Sequence, residues 1–186
     1  MAKSIKGRYW IAASAVCAAM VAVPLTGIAE VSKDLVVRQL LATVHAFRTL
    51  YVENITERLQ RVGIQPKEDW MSDDHAIMLP FQFVKVAGQE IKSLVKNVEV
   101  GLVSLTPLYS VNFPKTEAEV EALQKLMANP NLKVVTFTDG KEFKGISPDF
   151  AIEQSCADCH NHHPNSIKKD FKKGDMMGAI VVRLKR

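Results

Sequence analysis

KVVTFTDGKEFKGI, residues 133–146, is the stretch whose reading decides the fold. Two strand-like runs, Lys133–Thr138, rich in β-branched and aromatic residues, and Lys141–Ile146, which carries Phe143 and Ile146, flank Asp139-Gly140. Asp-Gly between two such runs is a strong signal for a two-residue hairpin. A hairpin commits its neighbours to antiparallel pairing. Gly178–Leu184 reads as a closing strand with Ile180, Val182 and Leu184 on one face, and Val98–Leu105, around Gly101, as another. About four antiparallel strands are therefore expected.

Helical spacing surrounds them. Ser32 is a helix cap, and Val36, Leu40, Val44, Phe47, Tyr51, Ile55 and Val62 recur at helical intervals over Leu35–Val62, with Gly63 as the stop. Such a helix is roughly 45 Å long. His45 falls on its other side, beside Leu41, Val52 and Leu59, giving a second, weaker apolar face. A helix of that length with two apolar faces predicts a homodimer joined through it. Ile64–Leu79 reads as a loop. Pro80 opens a second helix with Phe81, Val84, Ala87, Ile91, Leu94 and Val95 as its stripe. Thr116 and Glu119 form a capping box before Val120, Leu123, Leu126 and Met127, and Asn129-Pro130 ends that helix. Ser147–Ser155 reads as a short helical approach to the cysteines, and Asn161–Lys173 as a basic loop. The expected fold is α+β: an antiparallel sheet with flanking helices, packed on one side, and a long N-terminal helix.

The chain has 186 residues, 47% hydrophobic and 24% charged. That suits a single globular domain and excludes a multi-span membrane protein or a disordered one. Residues 1–29 carry Lys3, Lys6 and Arg8 and no acid, followed by the apolar run Tyr9–Leu25. Gly27 and Ala29 are small residues at the −3 and −1 positions of a cleavage after Ala29, the pattern of a secretory signal peptide. Tyr9–Ala29 is also long enough to span a bilayer, so a retained membrane anchor is the second reading. Either way residues 30–186 form one domain outside the cytoplasmic membrane, expected in the periplasm. That body holds 21 basic and 20 acidic residues, too balanced for a nucleic-acid binder. Cys17 lies in the leading segment, so the body keeps only Cys156 and Cys159, which is no disulfide framework.

Those two cysteines open Cys156-Ala157-Asp158-Cys159-His160, the C-x-x-C-H pattern of c-type haem attachment. Two thiols at this spacing reach the two vinyl groups on one edge of a porphyrin, and the next imidazole falls beneath the ring as proximal iron ligand. One covalent haem c on Cys156 and Cys159, with His160 on iron, accounts for all three residues. Three alternatives compete. A redox dithiol calls for a thioredoxin-like βαβ setting, which is not visible. A zinc site would draw Cys156, Cys159, His162 and His163 from one short stretch, whereas such sites usually gather ligands from two elements. A disulfide this local closes almost no loop. His163 is a candidate contact for a haem propionate, against the plainer reading of His162 and His163 as solvated or hydrogen-bonded loop residues. For the sixth iron position the loop before the second helix supplies His75 first and Met78 second. Asp73 and Asp74 are placed to orient the imidazole, and Met71 and His45 are further alternatives.

The stretch Cys156–Gly178 resembles the signature of the PAS-like periplasmic c-type haem domains, which occur as sensor parts of chemotaxis receptors and histidine kinases and as stand-alone secreted proteins. Cys156, Cys159, His160, Asn161, His163, Pro164, Asp170, Gly174, Asp175 and Gly178 match, and Phe171 stands where the family usually has Trp. Upstream, Arg48 with Tyr51, Ala76–Pro80 and Ser104–Pro107 fit more loosely. The resemblance implies a PAS-like fold, dimerisation through helices and a sixth ligand that varies among Met, Cys and water. Cys has no representative here outside the motif and the leader. No kinase or receptor signalling helix follows the closing strand, which argues against direct transmembrane signalling. The expected function is a haem-binding module for redox or small-gas sensing, nitric oxide among the gases. The rival is a periplasmic single-electron carrier with a redox partner. No general base or second metal site is evident, so an enzyme is not expected.

Overall fold

The structure is a computed structural model and describes residues 32–185. Residues 1–29, expected to be a signal peptide or anchor, lie outside the described residues. Among the described residues no helix is long and apolar enough to cross a membrane.

Helix α1, Lys33–Leu50, begins where the Ser32 hydroxyl accepts from the Leu35 amide. It runs on through a π-helical turn, Tyr51–Thr56, into a last α-turn, α2, Glu57–Gln60, and Gly63 at φ 88° follows. The long leading helix is therefore present, but its buried face is not the expected one. Val37, Leu41, Val44, Arg48, Tyr51, Val52 and Thr56 are buried. Phe47 is 57% and Val62 72% exposed. The series steps by three and four through two polar residues, Arg48 and Thr56. A ranking by hydrophobicity skips those two and settles one residue off.

The segment Ile64–Leu79 is not a plain loop. Strands β1, Gln65–Lys67, and β2, Ala76–Met78, pair in parallel, with a 3-10 turn at Trp70–Ser72 between them. Three-residue strands are too short to show a period of two in sequence. Helix α3, Pro80–Leu94, starts at its proline, and the Gln82 side chain accepts from the Leu79 amide.

Strands β3 (Val98–Val103), β4 (Val135–Asp139), β5 (Glu142–Phe150) and β6 (Met176–Leu184) form one antiparallel sheet in the order β3-β6-β5-β4. The architecture is α+β with flanking helices, as expected, and is consistent with a PAS-like fold. The hairpin turn is Gly140-Lys141, because Asp139 pairs with Glu142. Gly140 has φ 58° and, among the described residues, no non-glycine residue has positive φ, which makes the turn type II′. Strand β5 runs past the hairpin to Phe150, where a helical approach was expected. Beyond Ile146 it pairs only with β6, and an edge position of this kind tolerates Pro148. His45 on α1 takes the place of the missing neighbour, its Nε2–H donating to the Pro148 carbonyl at 2.8 Å.

Helices cover both faces of the sheet, not one. Val37, Leu41 and Val44 of α1 and Val84 of α3 pack on Val98, Val100, Ile180 and Val182. Ala122, Leu123 and Leu126 of α4, Glu117–Ala128, pack on Val103, Ile146, Ala179 and Val181 of the opposite face. The unbroken apolar run Ala179–Val182 is what a strand buried on both faces needs. Two glycines set the spacing. A Cβ at Gly88 would overlap the Val100 carbonyl, and one at Gly145 would overlap Val37, so α3 and α1 lie tight on the sheet.

The capping box at α4 is half formed. Thr116 Oγ1 accepts from the Glu119 amide, but the Glu119 carboxylate reaches the Lys115 amide, not that of Thr116. It is turned inward to meet Lys144 and Arg183 from the sheet.

Candidate functional site

Helix α5, Gln154–His162, carries Cys156, Cys159 and His160. All three line one cavity of about 310 Å³, within the range of small-molecule and cofactor sites. The other walls include Arg48, Val52, Thr56 and Gln60 of the long helix, Leu79–Phe81, Leu102–Ser104 at the end of β3, Pro107–Tyr109, Asp149 near the end of β5, and Met177–Ala179 opening β6. The cavity thus forms at the end of the sheet, where the strands stop and α5 crosses.

Cys156 and Cys159 form no disulfide with each other. Partial burial raises the Cys159 thiol, and the charges of Glu68 and Cys156 add to that. A nucleophilic redox dithiol needs the opposite shift. Burial also lowers His160 to about 4, with His163 and Arg48 contributing, so its imidazole is neutral at physiological pH. Its Nδ1 is buried and has no hydrogen-bond partner. A neutral imidazole free of competing bonds, beside two thiols on the wall of a largely apolar cavity, is the donor set that a covalently attached haem requires.

The residues after the motif hold that imidazole in place. Asn161 clamps Phe171 twice: its Nδ2 donates to the Phe171 carbonyl at 2.8 Å, and its Oδ1 accepts from the Phe171 amide at 2.9 Å. The Phe171 ring, 4% exposed, then stands edge-on to His160, with centroids 5.8 Å apart and planes at 87°. Lys168 Nζ sits 4.1 Å from the Phe171 ring centroid. Gly174 at φ 89° turns the chain so that its amide and the Asp175 carbonyl bond to Ala151. An Asn and an aromatic ten residues apart therefore serve the same imidazole, a pairing that spacing alone did not reveal.

His163 is a different matter. Its Nδ1 accepts from the Asn165 amide, and its Nε2 lies 3.3 Å from Glu68 Oε1 and 3.5 Å from the Tyr109 hydroxyl. Both ring nitrogens are engaged by protein, and the residue is not on the cavity wall. Tyr109 also donates to Glu68, and burial with that contact raises its phenol to about 12. His162 is exposed and bonds back to the Asp158 carbonyl. Among the described residues no three His, Cys, Asp or Glu side chains converge as a metal site would, which leaves the zinc alternative without a ligand set.

Neither His75 nor Met78 is brought to the cavity wall. His75 is exposed, its amide donating to Asp73 Oδ1 and its carbonyl accepting from Gln65. Met78 lies in β2, where its carbonyl accepts from the Tyr51 hydroxyl at 2.7 Å. Met71 is 83% exposed. Besides α5, the wall includes Met177, which like Cys156 also packs against the small cluster of Ala151, Ala157 and Phe171.

Arg48 is the wall residue that sequence reasoning left without a role. It is 3% exposed, and its Nε lies 3.1 Å from Asp149 Oδ1 as an ion pair without hydrogen-bond alignment. Burial pushes the Asp149 carboxyl up, against the pull of Arg48 and His45.

Fold and site together define an α+β domain with a cavity at the end of its sheet and a C-x-x-C-H helix as one wall of that cavity. The chain belongs to the Tll0287-like family, whose model matches residues 29–184. Among solved structures it is similar to the cyanobacterial haem protein Tll0287, with a TM-score of 0.55 and 20% identity over 80% of this chain and 96% of that one. At that identity the likeness shows a shared fold. No curated protein matches the chain.

Proposed function

We propose that this chain is a monohaem c-type protein. Cys156 and Cys159 form the thioethers, His160 is the proximal ligand, and the sixth position is weakly held or open for a small diatomic ligand such as nitric oxide. The observation that carries the reading is His160 beside both cysteines on one cavity wall, its buried Nδ1 without a hydrogen-bond partner. Membership of a family named for a protein described as a haem protein supports it. When bound, the haem supplies a one-electron couple and an iron site for diatomic ligands. The protein's part is to fix the imidazole through Phe171 and Asn161 and to wall the ring with apolar side chains, with Met177 the one thioether on the described wall. The apparent role is sensing or binding, without turnover, in an exported and periplasmic setting.

A second reading, a single-electron carrier, is favoured by the exposure of Cys159, which would leave one haem edge near solvent. We also propose that the protein is a homodimer joined through α1, whose Leu35, Phe47 and Leu50 are about half exposed. The test is expression with haem-attachment machinery, followed by intact mass, haem staining and absorption spectra with and without nitric oxide. A mass increased by one haem and a spectrum changed by nitric oxide are expected. A colourless protein of apo mass overturns the haem reading. A low-spin spectrum unmoved by nitric oxide selects the carrier.

A further inference from the structure

Among the described residues, Arg48 is the one lysine or arginine on the cavity wall. Its guanidinium is buried, its Nη1 has no hydrogen-bond partner, and only Asp149 answers its charge. A buried guanidinium with donors to spare is disfavoured unless something completes it. The helix is shaped to keep it on the wall. Arg48, Val52, Thr56 and Gln60 all line the cavity at steps of four residues. In an ideal α-helix each such step turns the side chain by about 40°, so the set would wind off the cavity. The π turn at Tyr51–Thr56 holds more residues per turn and cancels that drift. Thr56 Oγ1, buried and without a partner, lies on the same wall. The other acids on the wall are otherwise engaged: Glu68 with Tyr109, Glu153 with Lys173, and Glu57 with Arg61.

We propose that Arg48, backed by Asp149, is an anchor for an anionic oxygen inside the cavity, namely a carboxylate. It arrives either as a propionate of the bound haem or as a small free anion. A planar guanidinium with Nε turned to one carboxylate still presents its outer nitrogens to a second one, and this fork matches carboxylate geometry. The propionate source rests on the haem reading above; the free-anion source does not.

The test uses the wild-type protein, Arg48→Gln and Arg48→Lys, with haem loading checked by intact mass. The double variant Arg48→Gln, Asp149→Asn serves should the single charge removal unfold the chain. Resonance Raman of the propionate bending modes reads the first source, and titration with formate reads the second. A shift of those modes in Arg48→Gln, largely restored in Arg48→Lys, assigns a propionate. Formate binding weakened about tenfold or more in Arg48→Gln assigns a free anion. Haem-loaded variants with unmoved propionate modes and unchanged formate titrations overturn the inference. Wild-type protein without haem overturns the haem reading instead, and formate titration of that protein alone then decides for or against the anchor.

Discussion

Replacing Glu119 by Gln removes the one negative charge that sits fully enclosed between α4 and the sheet. Glu119 is 0% exposed. Its two oxygens accept from Arg183 Nε at 2.8 Å and Nη2 at 3.0 Å, from Lys144 Nζ at 2.9 Å and from the Lys115 amide at 2.9 Å. Burial alone would raise its carboxyl, but Arg183, the Lys115 amide and Lys144 outweigh burial and hold it at about 2, below the ordinary 4.5. A depression of that size corresponds to about 3 kcal/mol of stability at neutral pH. Breaking a buried pair by removing one partner typically costs about 3–5 kcal/mol. The lower end applies here, because Arg183 keeps Glu99 and Lys144 keeps Asp139. In a domain of this size about 3 kcal/mol lowers the melting temperature by roughly 6–12 °C. The folded carboxyl is depressed, so its contribution is complete above about pH 4.5 and is lost as pH falls towards 2. Melting of both proteins followed by circular dichroism across that range should show a wide gap at neutral pH that narrows on acidification. A gap under about 1 kcal/mol, or one that stays constant with pH, would refute the account of Glu119 as the charge that pins α4.

Three further outcomes follow from the site and the packing. Asn161→Ala removes both bonds to Phe171 and should lower stability by about 1–3 kcal/mol. It should also alter the electron paramagnetic resonance of the haem-loaded protein, and an unaltered signal would show that Phe171 does not orient His160. Gly88→Ala should lower stability by about 2 kcal/mol in denaturant titration, because the added methyl meets the Val100 backbone, which cannot yield as a side chain does. A neutral result would mean that α3 stands further from the sheet. His75→Ala should leave the absorption spectrum of haem-loaded protein unchanged, since His75 is off the cavity wall; conversion from low to high spin would instead put its imidazole on iron.

The sequence by itself located the candidate chemistry and most of the elements. C-x-x-C-H is a local pattern, and its meaning depends on the spacing of three residues within one helical turn. Hairpin, caps and glycine stops are also local, so the leading helix counted through α2, helices α3 and α4, and strands β3, β4 and β6 lie within a few residues of their expected bounds, while β5 runs on past Ile146 to Phe150. What the tertiary structure decided is whatever depends on residues distant in sequence. The α1 stripe came out one residue off because Arg48 and Thr56 are buried for reasons that lie in the cavity, and hydropathy counts them as surface. Helices on both sheet faces reflect α4 packing on Val181, a residue whose alternation with Ile180 and Val182 looks like a solvent position. Glu119 reads as a capping acid until Lys144 and Arg183, 25 and 64 residues away, draw it inward. His75 and Met78 carry the right atoms for iron, but a short parallel pair of strands fixes them away from the cavity. A ligand's identity is written in the side chain; whether it arrives is set by packing, which sums many weak contacts no single stretch of sequence contains.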